Sequence, residues 1–130
     1  MRLDWRAIGL GALVAMAISV PLAIVSQVIS DYGDGDGAGI VVLFYFVVLA
    51  GLAVGGFVAG SRRPEAPLTH GILAAVVAYV VVQGIGLIVN LARGDDVSIV
   101  ALVFNAGLAA AMGLLGGWLA NWRATSPAAE

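Results

Sequence analysis

Four long apolar runs decide what this chain can fold into: Ala7–Ile29, Ala38–Gly60, Leu68–Leu91 and Val97–Asn121. Each exceeds the roughly 20 residues that cross a hydrocarbon core about 30 Å thick. Lipid offers the backbone no hydrogen-bond partners, so such a run must satisfy its own N–H and C=O groups, as a helix or within a closed barrel. Barrel strands are short and alternate apolar with polar residues, and these runs do neither. The expectation is an all-α membrane protein, a four-transmembrane-helix bundle occupying residues 1–130 as one domain, with a short disordered tail over 124–130. With 62% hydrophobic and 11% charged residues and a mean hydropathy of +1.06, the chain has too few charges to coat a soluble exterior.

The first run follows Arg2 and Arg6, the positive start of a signal peptide, and Val28 and Ser30 offer a small-residue cleavage pattern. Signal-peptide apolar cores run to about 7–15 residues. This run is longer and is read as a retained helix.

Orientation follows from the arginines. Arg2, Arg6, Arg62, Arg63 and Arg123 lie at the two termini and in the central turn, and only Arg93 lies in the other two connections. The positive-inside rule therefore puts both termini in the cytoplasm and the chain in the cell (plasma) membrane as a multi-pass protein, with Arg62 and Arg63 as topology determinants. Trp5, Trp118 and Trp122 fall at the same interface, where indole rings sit well. A net charge of −2 leaves no basic face for nucleic acid. The absence of cysteine excludes disulfides, thiolate catalysis and cysteine-based metal sites.

The second run carries two small-residue ladders on adjacent faces, Gly51/Gly55/Ala59 and Gly56/Gly60. Membrane helices gain little from hydrophobicity when they associate, and gain instead from the close backbone approach that glycine at i and i+4 allows. The fourth run repeats the device in Asn105, Ala109, Gly113, Gly117 and Asn121. Shifted by 61 positions, Gly55-Gly56-Phe57-Val58-Ala59 overlies Gly116-Gly117-Trp118-Leu119-Ala120; the first and third runs correspond less clearly, though Gly11-Ala12-Leu13 resembles Gly71-Ile72-Leu73. Two helical hairpins that both start inside make a parallel repeat. The ladders suit internal packing or a homo-oligomer equally.

Polar residues inside the runs are few. Gln83 and Asn105, counted at about 1.5 Å per residue, lie at similar depth, with Tyr45 and Pro21 near the same level. Buried amides seek partners, so these groups are expected to face inward and several of them to bond to one another. Pro21 removes a helical hydrogen bond and is expected to kink the first helix. His70 lies near the inner interface with no second histidine or acid pair beside it, and is read as an interfacial polar residue. The first outer connection, Ser30 to Gly39, sets Asp34 and Asp36 against Gly37 in the manner of a calcium loop. Tyr32 and Leu43 then occupy ligand positions 1 and 12, and half the cage is missing. A polar turn is the better reading.

The segment Gly55-Gly56-Phe57-Val58-Ala59-Gly60-Ser61-Arg62-Arg63, a short gap, then His70-Gly71 and an apolar helix resembles an uncharacterised family of small four-helix bacterial integral membrane proteins. Their pattern is a glycine-rich second helix ending in Ala-Gly-x-Arg and a His-Gly opening the third. The resemblance implies a topology and no activity, since the family has no established one. Small multidrug exporters, also four-helical, need an acidic residue within the first helix, and this chain has none there.

No acid–base pair, nucleophile–base pair or metal cluster lies within the spans, so the expectation is a non-enzymatic protein without cofactor. Its partners would be the lipid bilayer and either further copies of itself or another membrane protein, in a structural or accessory role. The second reading is a small transporter or channel subunit for a neutral or weakly polar solute, with Gln83, Asn105 and Pro21 along the path.

Overall fold

The computed structural model describes residues 2–32 and 38–127. These form four helices, α1 Trp5–Tyr32, α2 Ala38–Arg62, α3 Pro67–Arg93 and α4 Ile99–Thr125, all long and apolar enough to cross a membrane. Their 25 to 28 residues make rods about 38–42 Å long at 1.5 Å per residue. The described chain is thus all-α, a multi-pass membrane protein by the length and composition of its helices. The acidic connection that holds Asp34 and Asp36 lies outside the described residues.

Local chemistry sets the helix ends, and several differ from the limits of the apolar runs. Helix α1 starts at Trp5 because the Asp4 carboxylate caps it, Oδ1 accepting from the N–H groups of Arg6 at 2.9 Å and Ala7 at 3.2 Å. Arg63 precedes Pro64, a position biased away from the helical conformation, and α2 stops at Arg62. Pro67 opens α3, where its missing N–H costs nothing. Gly94 ends α3 in the left-handed region at φ +75°, its N–H returning to the Leu91 carbonyl at 3.2 Å.

Helix α4 starts at Ile99, two residues inside the apolar run, because the Ser98 hydroxyl accepts from the Ala101 N–H at 3.2 Å. It also outlasts the run. Ala124 and Thr125, expected in a disordered tail, are helical, with Thr125 Oγ1 donating to the Asn121 carbonyl at 3.0 Å.

One end of the bundle carries both termini and the α2–α3 turn, and the other carries the α1–α2 and α3–α4 connections. Helices α2 and α3 form the short diagonal of a rhombus, each touching the other three helices, while α1 and α4 do not touch. Every fully buried residue among those described lies in the terminal half: none follows Ser19 in α1, precedes Gly51 in α2, follows Ala78 in α3 or precedes Ala109 in α4. The core is made almost wholly of alanine and glycine, with Ile8, Leu52 and His70 as its larger members. The bundle is therefore a wedge, closed at the terminal end and splayed at the loop end.

Glycine closes it. A Cβ placed on Gly55 would stand 2.5 Å from the Gly11 carbonyl oxygen and 2.6 Å from the Ala15 Cβ. One on Gly71 would stand 2.5 Å from the Gly113 oxygen, and one on Gly113 an equal 2.5 Å from the Gly71 oxygen. Gly51 lies against Ile18 and Ser19 of α1, Gly56 against Gly113, and Gly60 against Pro67, Gly117 and Ala120. Ala59 is fully buried beside Ile8 and Ala74. The small ladder residues Gly51, Gly55, Gly56, Ala59, Gly60, Gly113 and Gly117 are thus packed inside a single chain.

The matched glycine pairs exchange roles between hairpins. Gly55 faces its own hairpin partner α1 and Gly56 faces α4, whereas Gly116 faces α2 and Gly117 faces the partner helix α3.

Candidate functional site

The splayed half holds a partly open cavity of about 280 Å³. Its floor is Met16, Leu52 and Ala78, where the core begins. Val41, Phe44, Val48, Leu49 and Val82 make apolar walls, and polar groups reach it from all four helices: Ser19 and Ser26, Tyr45, Tyr79 and Gln83, and Asn105.

Two of these groups tie helices together across it. The Tyr45 hydroxyl donates to Asn105 Oδ1 at 2.7 Å and joins α2 to α4. The Tyr79 hydroxyl donates to the Leu102 carbonyl at 2.7 Å and joins α3 to α4, using the second lone pair of an oxygen already within the helical ladder. The Ser19 hydroxyl lies a long 3.5 Å from the Val48 carbonyl. Gln83 lines the same cavity and is not bonded to Asn105.

Pro21, expected to face inward at this depth, instead sits on an exposed face of α1, and the helix runs on through it. It does not line the cavity. The sequence supplies the reason: Met16, Ser19, Ala23 and Ser26 recur at helical spacing on the inward face, and Pro21 falls between them on the other side.

A second polar cluster ties the terminal end. Arg63, from the α2–α3 turn, grips Asp4 Oδ2 through Nε at 2.7 Å and Nη2 at 2.6 Å. His70, only 1% exposed, places Nε2 at 3.1 Å from the Asp4 N–H and Nδ1 at 2.8 Å from the Ala66 carbonyl. A backbone N–H can only donate, so Nε2 accepts and the ring carries its proton on Nδ1, donating to Ala66. The guanidinium of Arg63 and then the N–H groups of Ala7 and Arg6 hold the Asp4 carboxyl below the usual carboxylate range, against a smaller opposing effect of burial.

These contacts correct two sequence readings. His70 is not a wetted interfacial residue but a buried bracket between α1 and α3. Arg63 is more than a topology marker, since it anchors the amino terminus, whereas Arg62 is exposed at the end of α2. Asp4 is not singled out by the sequence analysis. Its signal is an acidic residue shortly before the apolar run that starts at Ala7, the common place for a helix cap. Tyr79 was missed as well, although Tyr79 and Gln83 stand one turn apart on one face of α3.

Among the described residues the cavity lining holds no carboxylate, guanidinium or imidazole. Its chemistry is that of hydrogen bonding in an apolar cup. Comparison with protein-family models, with curated proteins and with solved structures finds no match for the chain.

Proposed function

We propose that the chain is a non-enzymatic integral membrane protein of structural or accessory type, built on glycine-mediated helix packing. The observation that carries this reading is the commitment of every ladder glycine to contacts inside one chain. Association with a second copy or another membrane protein would then use the splayed half, where bulky residues such as Ile85, Ile88, Val100, Val103 and Phe104 are exposed.

Both termini are cytoplasmic in this proposal, on the distribution of arginine, and the chain sits in the cell membrane. The two hairpins are parallel repeats, supported by the like placement of Gly11 and Gly71, each pressed against the second helix of its hairpin. Reporter fusions check the orientation: a fusion at Pro64 reads cytoplasmic and one at Asp34 external, and the reverse would overturn it.

A second reading, a small transporter or channel subunit for a neutral or weakly polar solute, draws on the cavity shared by Gln83, Asn105 and Tyr45. Proteoliposomes separate the two readings. Stopped-flow light scattering with glycerol and urea should give the permeability of protein-free vesicles if the role is accessory. Excess flux that Gln83→Leu and Asn105→Leu both abolish would replace the accessory reading with transport.

A further inference from the structure

The cavity is selective in what it can satisfy. At about 30 Å³ per water its roughly 280 Å³ would take about nine waters, close to the lower limit for small-molecule pockets. Among the described residues its lining carries no charged group, so a charged guest would lose hydration without gaining a counter-ion from them. Among the described residues the Gln83 amide and the Asn105 Nδ2 have no partner, so a wholly apolar guest would leave them unpaired, which is costly away from water.

The bonds already made narrow the choice further. Tyr45 and Tyr79 have each given their hydroxyl proton to the protein, so their phenolic oxygens have only lone pairs left to offer. Asn105 has engaged its oxygen with Tyr45, which leaves its Nδ2 hydrogens as donors. A guest hydroxyl meets both demands together, accepting from an amide N–H while donating to a phenolic oxygen. The apolar walls of Phe44, Val48, Leu49 and Val82 match a compact hydrocarbon body.

We propose that the cavity between the splayed halves of the helices is a binding site for a neutral amphipathic alcohol or phenol, its hydroxyl held among Tyr45, Tyr79, Gln83 and Asn105. The site needs a molecule to lodge and none to cross. It therefore goes beyond the solute-pathway reading, and vesicles that show no flux leave it standing.

The test uses the full chain in phospholipid nanodiscs, methyl-labelled at Met, Leu and Val, titrated with 4-propylphenol and, separately, with propylbenzene at equal mole fraction in the bilayer. Propylphenol should shift the methyl signals of Met16, Val48, Leu52 and Val82 to saturation. Propylbenzene, lacking the hydroxyl, should bind about tenfold more weakly, the value of one lost hydrogen bond. Gln83→Leu should weaken propylphenol by a similar factor. Ala23→Phe, at the exposed edge of the lining and away from the glycine contacts, should block it while leaving the signals of Ile8-adjacent core residues such as Leu73 in place. Shifts that grow linearly without saturating, equal binding of the two probes, or propylphenol binding unchanged in both variants would each overturn the proposal.

Discussion

Glycine at a backbone contact and glycine facing open space should respond to the same substitution with opposite signs. At Gly55 an added Cβ meets the Gly11 oxygen at 2.5 Å and the Ala15 Cβ at 2.6 Å. Ordinary contact starts at 3.4 Å, so Gly55→Ala forces α1 and α2 apart by about 0.9 Å at that point. A gap of that size forfeits a quarter to a half of each affected dispersion contact, worth about 0.1–0.2 kcal/mol apiece. If about 40 atom pairs along the seam lose a third of their attraction, the loss is about 2 kcal/mol, within the about 1–3 kcal/mol usual for overpacking. Gly116→Ala drives its Cβ into the Ala53 carbonyl and to 2.6 Å from the Phe57 nitrogen, and should cost at least as much.

Gly86 and Gly107 have nothing within 4 Å of the added carbon. Alanine there removes the backbone freedom of glycine, worth up to about 1 kcal/mol in a helix, and should be neutral or stabilising. Reversible unfolding in mixed SDS micelles, followed by the fluorescence of Trp5, Trp118 and Trp122, reads all four variants on one scale. The contact pair should be weakened about 5- to 150-fold in folding equilibrium, and the open pair not at all. The double variant Gly11→Ala/Gly55→Ala should cost less than the sum of its parts, because the first methyl has already parted the helices. If Gly55→Ala and Gly107→Ala unfold alike, the close packing described for the terminal half is wrong.

The polar ties give three further expectations. His70→Leu leaves the Asp4 N–H without its acceptor and should destabilise by about 1–3 kcal/mol, with faster amide hydrogen exchange confined to the first turns of α1. Asp4 has a folded pKa held below the ordinary value by Arg63 and by the N–H groups of Ala7 and Arg6, so the unfolded chain takes up the proton first as the pH falls. Its contribution is complete above about pH 4 and is lost below that, as the pH passes through the folded value. Asp4→Asn should remove this acid limb from the stability profile, and an acid limb of equal depth in the variant would exclude Asp4 as its source. Tyr45→Phe and Asn105→Leu should each weaken the bundle, and their double-mutant cycle should return a coupling of about 0.6–1.7 kcal/mol, the range of membrane-buried hydrogen bonds. Zero coupling would mean that the bond does not hold α2 to α4.

The four spans were legible because length and apolarity alone force a helix in lipid. What the glycines touch was not. A ladder such as Gly51/Gly55 announces a close approach without naming the partner, and the adjacent faces of Gly55 and Gly56 turn to different helices. Equal depth grouped Gln83, Asn105 and Tyr45 as partners, and Tyr45 does bond to Asn105, but depth leaves rotation about the helix axis undetermined and could not say which pair would meet. The terminal cluster was hidden for another reason. Asp4, Arg63 and His70 are 59 and 66 positions apart in sequence along their two bonds, and each has a simpler local reading as tail, topology marker and interface residue.

The segregation of glycine from polar side chains bears on how the molecule can work. In the terminal half the helices meet backbone to backbone, and the Asp4–Arg63 and Asp4–His70 contacts cross-link α1, the α2–α3 turn and α3 at the rim. In the loop half, β-branched and aromatic residues hold the helices apart, and Tyr45, Tyr79 and Asn105 bridge what packing leaves open. A through-path would have to part the half in which separation by less than 1 Å already costs about 2 kcal/mol at one glycine, and would have to break the rim contacts as well. Widening the mouth disturbs only the loop half, where no described residue is fully buried. Opening the cup about the tight terminal half would therefore cost less than parting that half.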